Sequence, residues 1–122
     1  MGVFDSLGTV RPYRTWDGVV ARAVHGEHLT FAVVDLAPNL VVPEHHHPNE
    51  QIGLVLKGAV VMSVAGESRR LGVGDTYFVP GDVPHWAETG PEGASVIDVF
   101  NPKREDWEQV ERLEPSAGAW PG

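Results

Sequence analysis

The run His45-His46-His47-Pro48-Asn49-Glu50-Gln51 decides the reading of this 122-residue chain. In an extended strand alternate side chains share a face, so His45 and His47 point together and His46 points away. If the strand continues without a bulge, the same parity returns Gln51 to the histidine face and sends Glu50 to the other. Two imidazoles on one strand, a third from elsewhere and an amide oxygen make a site for a divalent metal. A second cue, Pro80-Gly81-Asp82-Val83-Pro84-His85, follows later. The run is internal and framed by Pro43 and Pro48, which sets it apart from a purification tag. The plain alternative is a solvated histidine cluster.

Outward from that run, strand signals dominate. Apolar or alternating stretches occur at Val19–Val24, Leu29–Leu36, Leu40–Val42, Ile52–Leu56, Val60–Val64, Thr76–Val79 and Ser95–Phe100. Turn residues punctuate them at Gly26, Pro38-Asn39, Lys57-Gly58, Ala65-Gly66-Glu67, Gly72–Asp75, Gly81-Asp82 and Gly90-Pro91. With 14 Gly and 10 Pro the chain is rich in corners, which suits an all-β sandwich or barrel of short strands. One helix is expected, Lys103–Leu113, with Asn101 as cap, Pro102 at its first position and Trp107 and Val110 on one face. No internal repeat is visible, so a single barrel over residues 1–122 is expected, with a loosely ordered tail from Glu114 to Gly122.

Bulk properties narrow the function classes. A net charge of −8 leaves no basic stripe to neutralise phosphates and argues against nucleic-acid binding. No apolar run approaches the roughly 20 residues of a membrane span. The first residues lack the charged and apolar regions of a signal peptide. Met1-Gly2-Val3-Phe4-Asp5-Ser6 formally matches an N-myristoylation pattern, but no polybasic partner lies nearby and one acyl chain anchors only marginally. The absence of cysteine rules out disulfides and thiolate metal sites and is compatible with the cytoplasm, the expected location.

The residues quoted resemble those of the cupins. That family's first motif runs glycine, five residues, His-x-His, three or four residues, an acid, six residues and glycine. Here Asn39 stands for the first glycine, His45 and His47 match, Gln51 replaces the acid, and Gly58 closes at the right distance. The second motif is matched by Gly74, Pro80 and His85, with Asp82 and Thr89 replacing its later glycine and its asparagine. The resemblance spans about residues 28–101 and implies a jelly-roll β-barrel. His45-His46-His47-Pro48-Asn49-Glu50-Gln51-Ile52-Gly53 and Asp98-Val99-Phe100-Asn101-Pro102-Lys103-Arg104-Glu105-Asp106 are similar, more narrowly, to the pectin-degradation cupins of the KdgF type. Members of that group are implicated in converting 4,5-unsaturated monouronates into linear keto-deoxyuronates. The resemblance implies metal ligation by His45, His47, Gln51 and His85, and substrate contact by Asp98, Phe100 and Arg104. Asn49, where that group more often shows histidine, is a departure.

The chemistry is compatible with those roles. Three neutral imidazoles and an amide leave the metal's charge uncompensated, so the site favours an anionic, oxygen-rich ligand such as a sugar acid. Ni, Zn, Fe and Mn all suit such ligands. Strand parity puts Val96, Asp98 and Phe100 on one face and Ile97 and Val99 on the other. Asp98 is expected to move a proton between a ring hydroxyl and the enol carbon, against the alternative of a structural acid. Arg104 offers a fork for a carboxylate, against an exposed arginine paired with Glu108. Phe100 read by itself is core. Trp86 is expected to face away from the metal, Tyr77 to lie on either face, His46 to point outward, and His25 and His28 to be solvated turn residues. Competing functions are an Fe or Mn dioxygenase and a non-enzymatic metal- or small-ligand-binding protein. A homodimer is expected, with Val19–Val24 pairing as a sheet edge against a second copy.

Overall fold

A computed structural model describes residues 3–122; the acylation-like Met1-Gly2 lies outside the described residues. The strands are β1 (Tyr13–Trp16), β2 (Val19–His25), β3 (Thr30–Leu36), β4 (Val41–His45), β5 (Glu50–Val64), β6 (Glu67–Leu71), β7 (Thr76–Val79), β8 (His85–Asn101) and β9 (Glu111–Arg112). Their order is β6-β5-β8-β3-β2-β1-β9, with β4 also on β8 and β7 also on β5. All pairings are antiparallel. This is the all-β jelly-roll barrel expected.

The two long strands make the barrel. β5 and β8 pair from Glu50↔Asn101 to Val64↔His85, broken by register shifts at Val55/Lys57 and Gly58/Val60. Each strand thereby turns a corner within one continuous sheet and takes different partners on its two halves. The early half of β8 pairs with β4 and its late half with β3; β5 pairs with β7 and then β6. Gly58 makes the corner possible. It has φ of +69°, and a Cβ there would lie 2.2 Å from the Gly93 carbonyl oxygen. Only glycine meets both demands cheaply. The expected turns at Lys57-Gly58 and Gly90-Pro91 are therefore corners inside continuous strands, and two expected strands fuse into β5.

Side-chain alternation fills the interior. The rows Ala21–Val34–Val96–Val55 and Thr30–Phe100–Gln51–Val79 face inward, and Ala32–Asp98–Gly53–Tyr77 lies between them. Val34, Val55, Val60 and Val96 are buried with Val42, Met62 and Leu71 in one cluster. At about 25 cal/mol per Å² of apolar surface, this valine-rich lining is the main favourable contribution to folding.

Several expectations change. The helix expected over 103–113 is reduced to a 3-10 turn, Glu105–Gln109, after which Glu111–Arg112 pairs with β1 as β9. Trp107 is buried as expected, but Asn101 ends β8 and caps nothing. The tail is docked: Arg22 donates to the Ser116 carbonyl and hydroxyl oxygens, Ala119 N to Asp35, and Lys57 Nζ to the Ala119 carbonyl. β3 flanks all of β2, whereas β1 pairs with Val19–Ala21, so that half of the expected edge is covered within the chain. β1, β6, β9 and the first half of β8 escaped the sequence reading. β6 buries only Leu71 of its five residues and so carries almost no apolar signal. No helix among the described residues is long and apolar enough to cross a membrane.

Candidate functional site

His45 ends β4 and His85 begins β8, and the two are paired in register. His47 follows in the β4–β5 connection and is buried. The three rings converge, with centroids 4.3 Å apart for His45 and His85, 4.9 Å for His47 and His85, and 6.0 Å for His45 and His47. One ligand atom from each lies within 4.8 Å of the others.

Main-chain carbonyls set their tautomers. His45 Nδ1 is 2.8 Å from the Pro43 oxygen, His47 Nδ1 2.9 Å from the Asn49 oxygen, and His85 Nδ1 2.8 Å from the Val83 oxygen. A carbonyl only accepts, so each Nδ1 donates, and in the neutral form of that tautomer Nε2 is the atom left with a lone pair. Burial, then the Arg104 and His85 charges, lowers His47 to about 4. Burial also lowers His85, outweighing its bond to Val83.

Gln51 reaches the histidines by a different route from the one parity suggested. β4 ends at His45 and β5 starts at Glu50, so no continuous strand links the histidines to Gln51. Gln51 instead comes to the site through its own place in β5, opposite Phe100. Its Nε2 donates to Asp98 Oδ1 at 2.9 Å, which turns its Oε1 to within 3.2 Å of His47 Nε2. Four lone-pair donors thus gather at the cavity, as a divalent cation requires, and the donor set fits the metal expected. Asn49 supports the connection: it is buried, and its Nδ2 donates to the Pro102 carbonyl at 2.5 Å.

Asp98 lies behind Gln51. Its Oδ1 accepts from Gln51 and, at 2.5 Å, from the Tyr77 hydroxyl. Its Oδ2 accepts no bond, yet no buried side-chain polar atom among the described residues lacks a partner, so Oδ2 reaches the cavity that Asp98 helps to line. Burial raises the Asp98 carboxyl against the opposing bonds from Tyr77 and Gln51 and the Arg104 charge.

Phe100 is buried, as its core reading has it, and lines the same cavity, its ring edge-on to His47 at 5.8 Å. Arg104 stacks over Phe100 at 4.7 Å and Trp107 at 4.9 Å. Its fork engages Asp106 rather than Glu108, Nε at 3.0 Å and Nη2 at 2.9 Å. That occupies one edge of the guanidinium and leaves Nη1 without a protein partner among the described residues, on a residue that lines the cavity. Asp106 and Trp16, whose ring is 5.1 Å from His45, were missed. Asp106 sits in a charged run that looks like surface, and nothing local marks Trp16.

The cavity measures about 330 Å³, with His45, His47, His85, Gln51, Asp98 and Arg104 in its wall and Val42, Val60, Met62 and Val96 farther along it. Trp86, expected to face away, contributes to the same wall. His46 is exposed beside Asp82, as expected. His28 is exposed, but His25 is not a solvated turn residue: it bonds Tyr13 and Thr30 and packs against Trp107.

A barrel of this topology with three inward histidines at one end defines a class, and the chain belongs to the cupin family, whose domain matches residues 32–100. Among its relatives is the pectin degradation protein KdgF of Dickeya dadantii, 30% identical over 93 residues, covering 75% of this chain and 84% of that protein. The solved structure of KdgF from Halomonas sp. superposes with a TM-score of 0.76 at 30% identity, over 87% of this chain and 98% of that one. An oxalate oxidase of Triticum aestivum, GF-3.8, is 32% identical over 78 residues, covering 56% of this chain and 35% of the plant protein.

Proposed function

We propose that this protein is a single-domain, metal-dependent isomerase that opens unsaturated monouronates to linear keto-deoxyuronates. The observation that carries the reading is the free Asp98 Oδ2 in one cavity with four gathered lone-pair donors and an arginine whose Nη1 end is open. Similarity to KdgF over most of both chains supports it.

His45, His47, Gln51 and His85 would hold one divalent ion, Ni, Zn, Fe or Mn, which supplies Lewis acidity at a substrate oxygen. Arg104 binds the substrate carboxylate end-on while Asp106 steadies it, and Phe100 packs against the sugar. Asp98 takes the proton of the hemiacetal hydroxyl as the ring C–O bond breaks, leaving an aldehyde and an enolate. Asp98 then gives that proton to the vinyl carbon, and the enolate becomes a ketone. Atoms are conserved and no oxidant is consumed. Such acid–base help is worth about 10²–10⁴-fold.

The test is anaerobic proton NMR of the metal-loaded protein with an unsaturated monouronate. The vinyl signal should vanish faster than its spontaneous rate, and Asp98→Asn should remove the acceleration while retaining metal. An unaccelerated reaction with bound metal would overturn the reading, and oxygen uptake would then favour a dioxygenase.

The reading extends to a cytoplasmic homodimer. What favours the dimer is an exposed apolar row, Val24–Phe31–Val99–Ile52–Phe78, on the outer face of β2, β3, β8, β5 and β7. Val24, Phe31, Ile52 and Phe78 are each more than 40% exposed, the kind of patch an isologous interface covers. Light scattering of wild type against Phe78→Lys checks it.

A further inference from the structure

Tyr77 and Asp98 stand on strands that are not neighbours. In register the row reads Tyr77↔Gly53↔Asp98 across β7, β5 and β8. Two strand spacings separate the outer pair, roughly 10 Å of sheet. A side chain at position 53 would stand between them, but that position is glycine. A Cβ there would lie 1.9 Å from Tyr77 Cζ and 2.3 Å from its hydroxyl oxygen, so the phenol occupies the space a side chain would fill. Ala32, on the other side of Asp98, is also small and fully buried.

The hydroxyl crosses the glycine and donates to Asp98 Oδ1. Burial, joined by the Asp98 charge and the bond between them, holds the phenol well above its usual range, so it remains a donor. Because Tyr77 and Gln51 share Oδ1, Oδ2 is the oxygen left for the cavity. Because the Gln51 amide nitrogen is taken, its oxygen is the atom left for the histidines.

We propose that Tyr77, admitted across β5 by Gly53, is a positioning residue that fixes the Asp98 carboxylate and, through it, turns the Gln51 oxygen toward the metal. The turnover part of this inference rests on the function proposed above; the metal part does not. Partners of this kind, one bond removed from a ligand, are worth about 10–100-fold in metal affinity or activity.

The experiment uses Tyr77→Phe, which keeps the ring and removes only the hydroxyl, with Gly53→Ala as a second variant that displaces the ring and keeps the hydroxyl. Co(II) is titrated into each metal-free protein by calorimetry and visible absorption, with thermal unfolding of the metal-free forms as the fold control. Tyr77→Phe should unfold as wild type does, bind Co(II) about tenfold more weakly and show an altered visible band. With the uronate, kcat should fall about tenfold and KM should stay within about twofold. Wild-type Co(II) affinity and spectrum in Tyr77→Phe would overturn the inference. Weakened Co(II) binding in a protein that does not act on the uronate would uphold it and remove the activity reading instead.

Discussion

Gln51 Oε1 lies 3.2 Å from His47 Nε2, and neither atom carries a proton. The Gln51 amide nitrogen donates one hydrogen to Asp98, and the His47 proton is on Nδ1, at the Asn49 carbonyl. Two lone pairs facing each other at that distance repel, and a cation between them and the other histidines relieves the repulsion. The site is therefore assembled for a positive charge.

Metal binding should stabilise the fold. An ion that binds only the folded chain adds about 2.7 kcal/mol at a hundredfold excess over Kd. Thermal unfolding with chelator, then with Ni(II), Zn(II), Mn(II) or Fe(II), should show an upward shift for at least one ion. His85→Ala should abolish the shift. Equal shifts in wild type and variant would remove His85 from the metal site.

Asp106 should act on binding and not on chemistry. It grips Arg104 on one edge and leaves Nη1 for the substrate carboxylate proposed above, and the Asp106 carboxylate itself is held below its usual range, first by its bond with Arg104. Asp106→Asn weakens that grip and loosens the guanidinium. Steady-state kinetics should give a KM raised about fivefold with kcat little changed, since uniform binding is what is lost. A fall in kcat alone would assign Asp106 a different part.

Gly58 should tolerate no side chain. Its positive φ and the Gly93 carbonyl 2.2 Å from a would-be Cβ combine strain with a backbone clash. Gly58→Ala should cost about 2 kcal/mol or more by urea unfolding of the metal-free protein. A loss under about 0.5 kcal/mol would show that the corner relaxes.

His25 should make stability depend on pH. Burial, then the Lys103 and Arg112 charges, lowers it from 6.5 against the opposing pull of Glu108. As pH falls through 6.5 the unfolded chain takes up the proton before the folded one, so stability is full above that pH and declines down to the folded pKa. Urea unfolding of the metal-free protein from about pH 8 to pH 5 should show this decline. His25→Gln should flatten the part of the slope that His47 and His85 do not supply. An unchanged slope would contradict the assignment.

Much of this was legible in the chain. Thr76–Val79 reads as a strand because β-branched and aromatic residues fill it, and Val19–Val24 because of its three valines. Gly58 was marked by its distance from Gln51, and Asp98 by alternation with Ile97 and Val99. The helix over 103–113 failed because Trp107 and Val110 fit a helical face equally well as anchors of a 3-10 turn and an extended segment. Glu111–Arg112 is extended because β1 offers it a ladder, which no local propensity reports. Gln51 does lie beside His47, although the continuous strand that led to it does not exist.

What the sequence determined by itself was the kind of fold and the chemical inventory: short strands, abundant corners, no thiol, three candidate imidazoles and an amide. Those follow from local periodicity and residue chemistry, which act over a few positions. Tertiary structure alone decided which atoms face one another. The pairing of β7, β5 and β8 carries Tyr77 over Gly53 to Asp98, and the docking of the segment after β8 brings Arg104, Asp106 and Trp107 to the cavity. Those contacts join residues far apart in the chain, and their energy exists only once the barrel has closed.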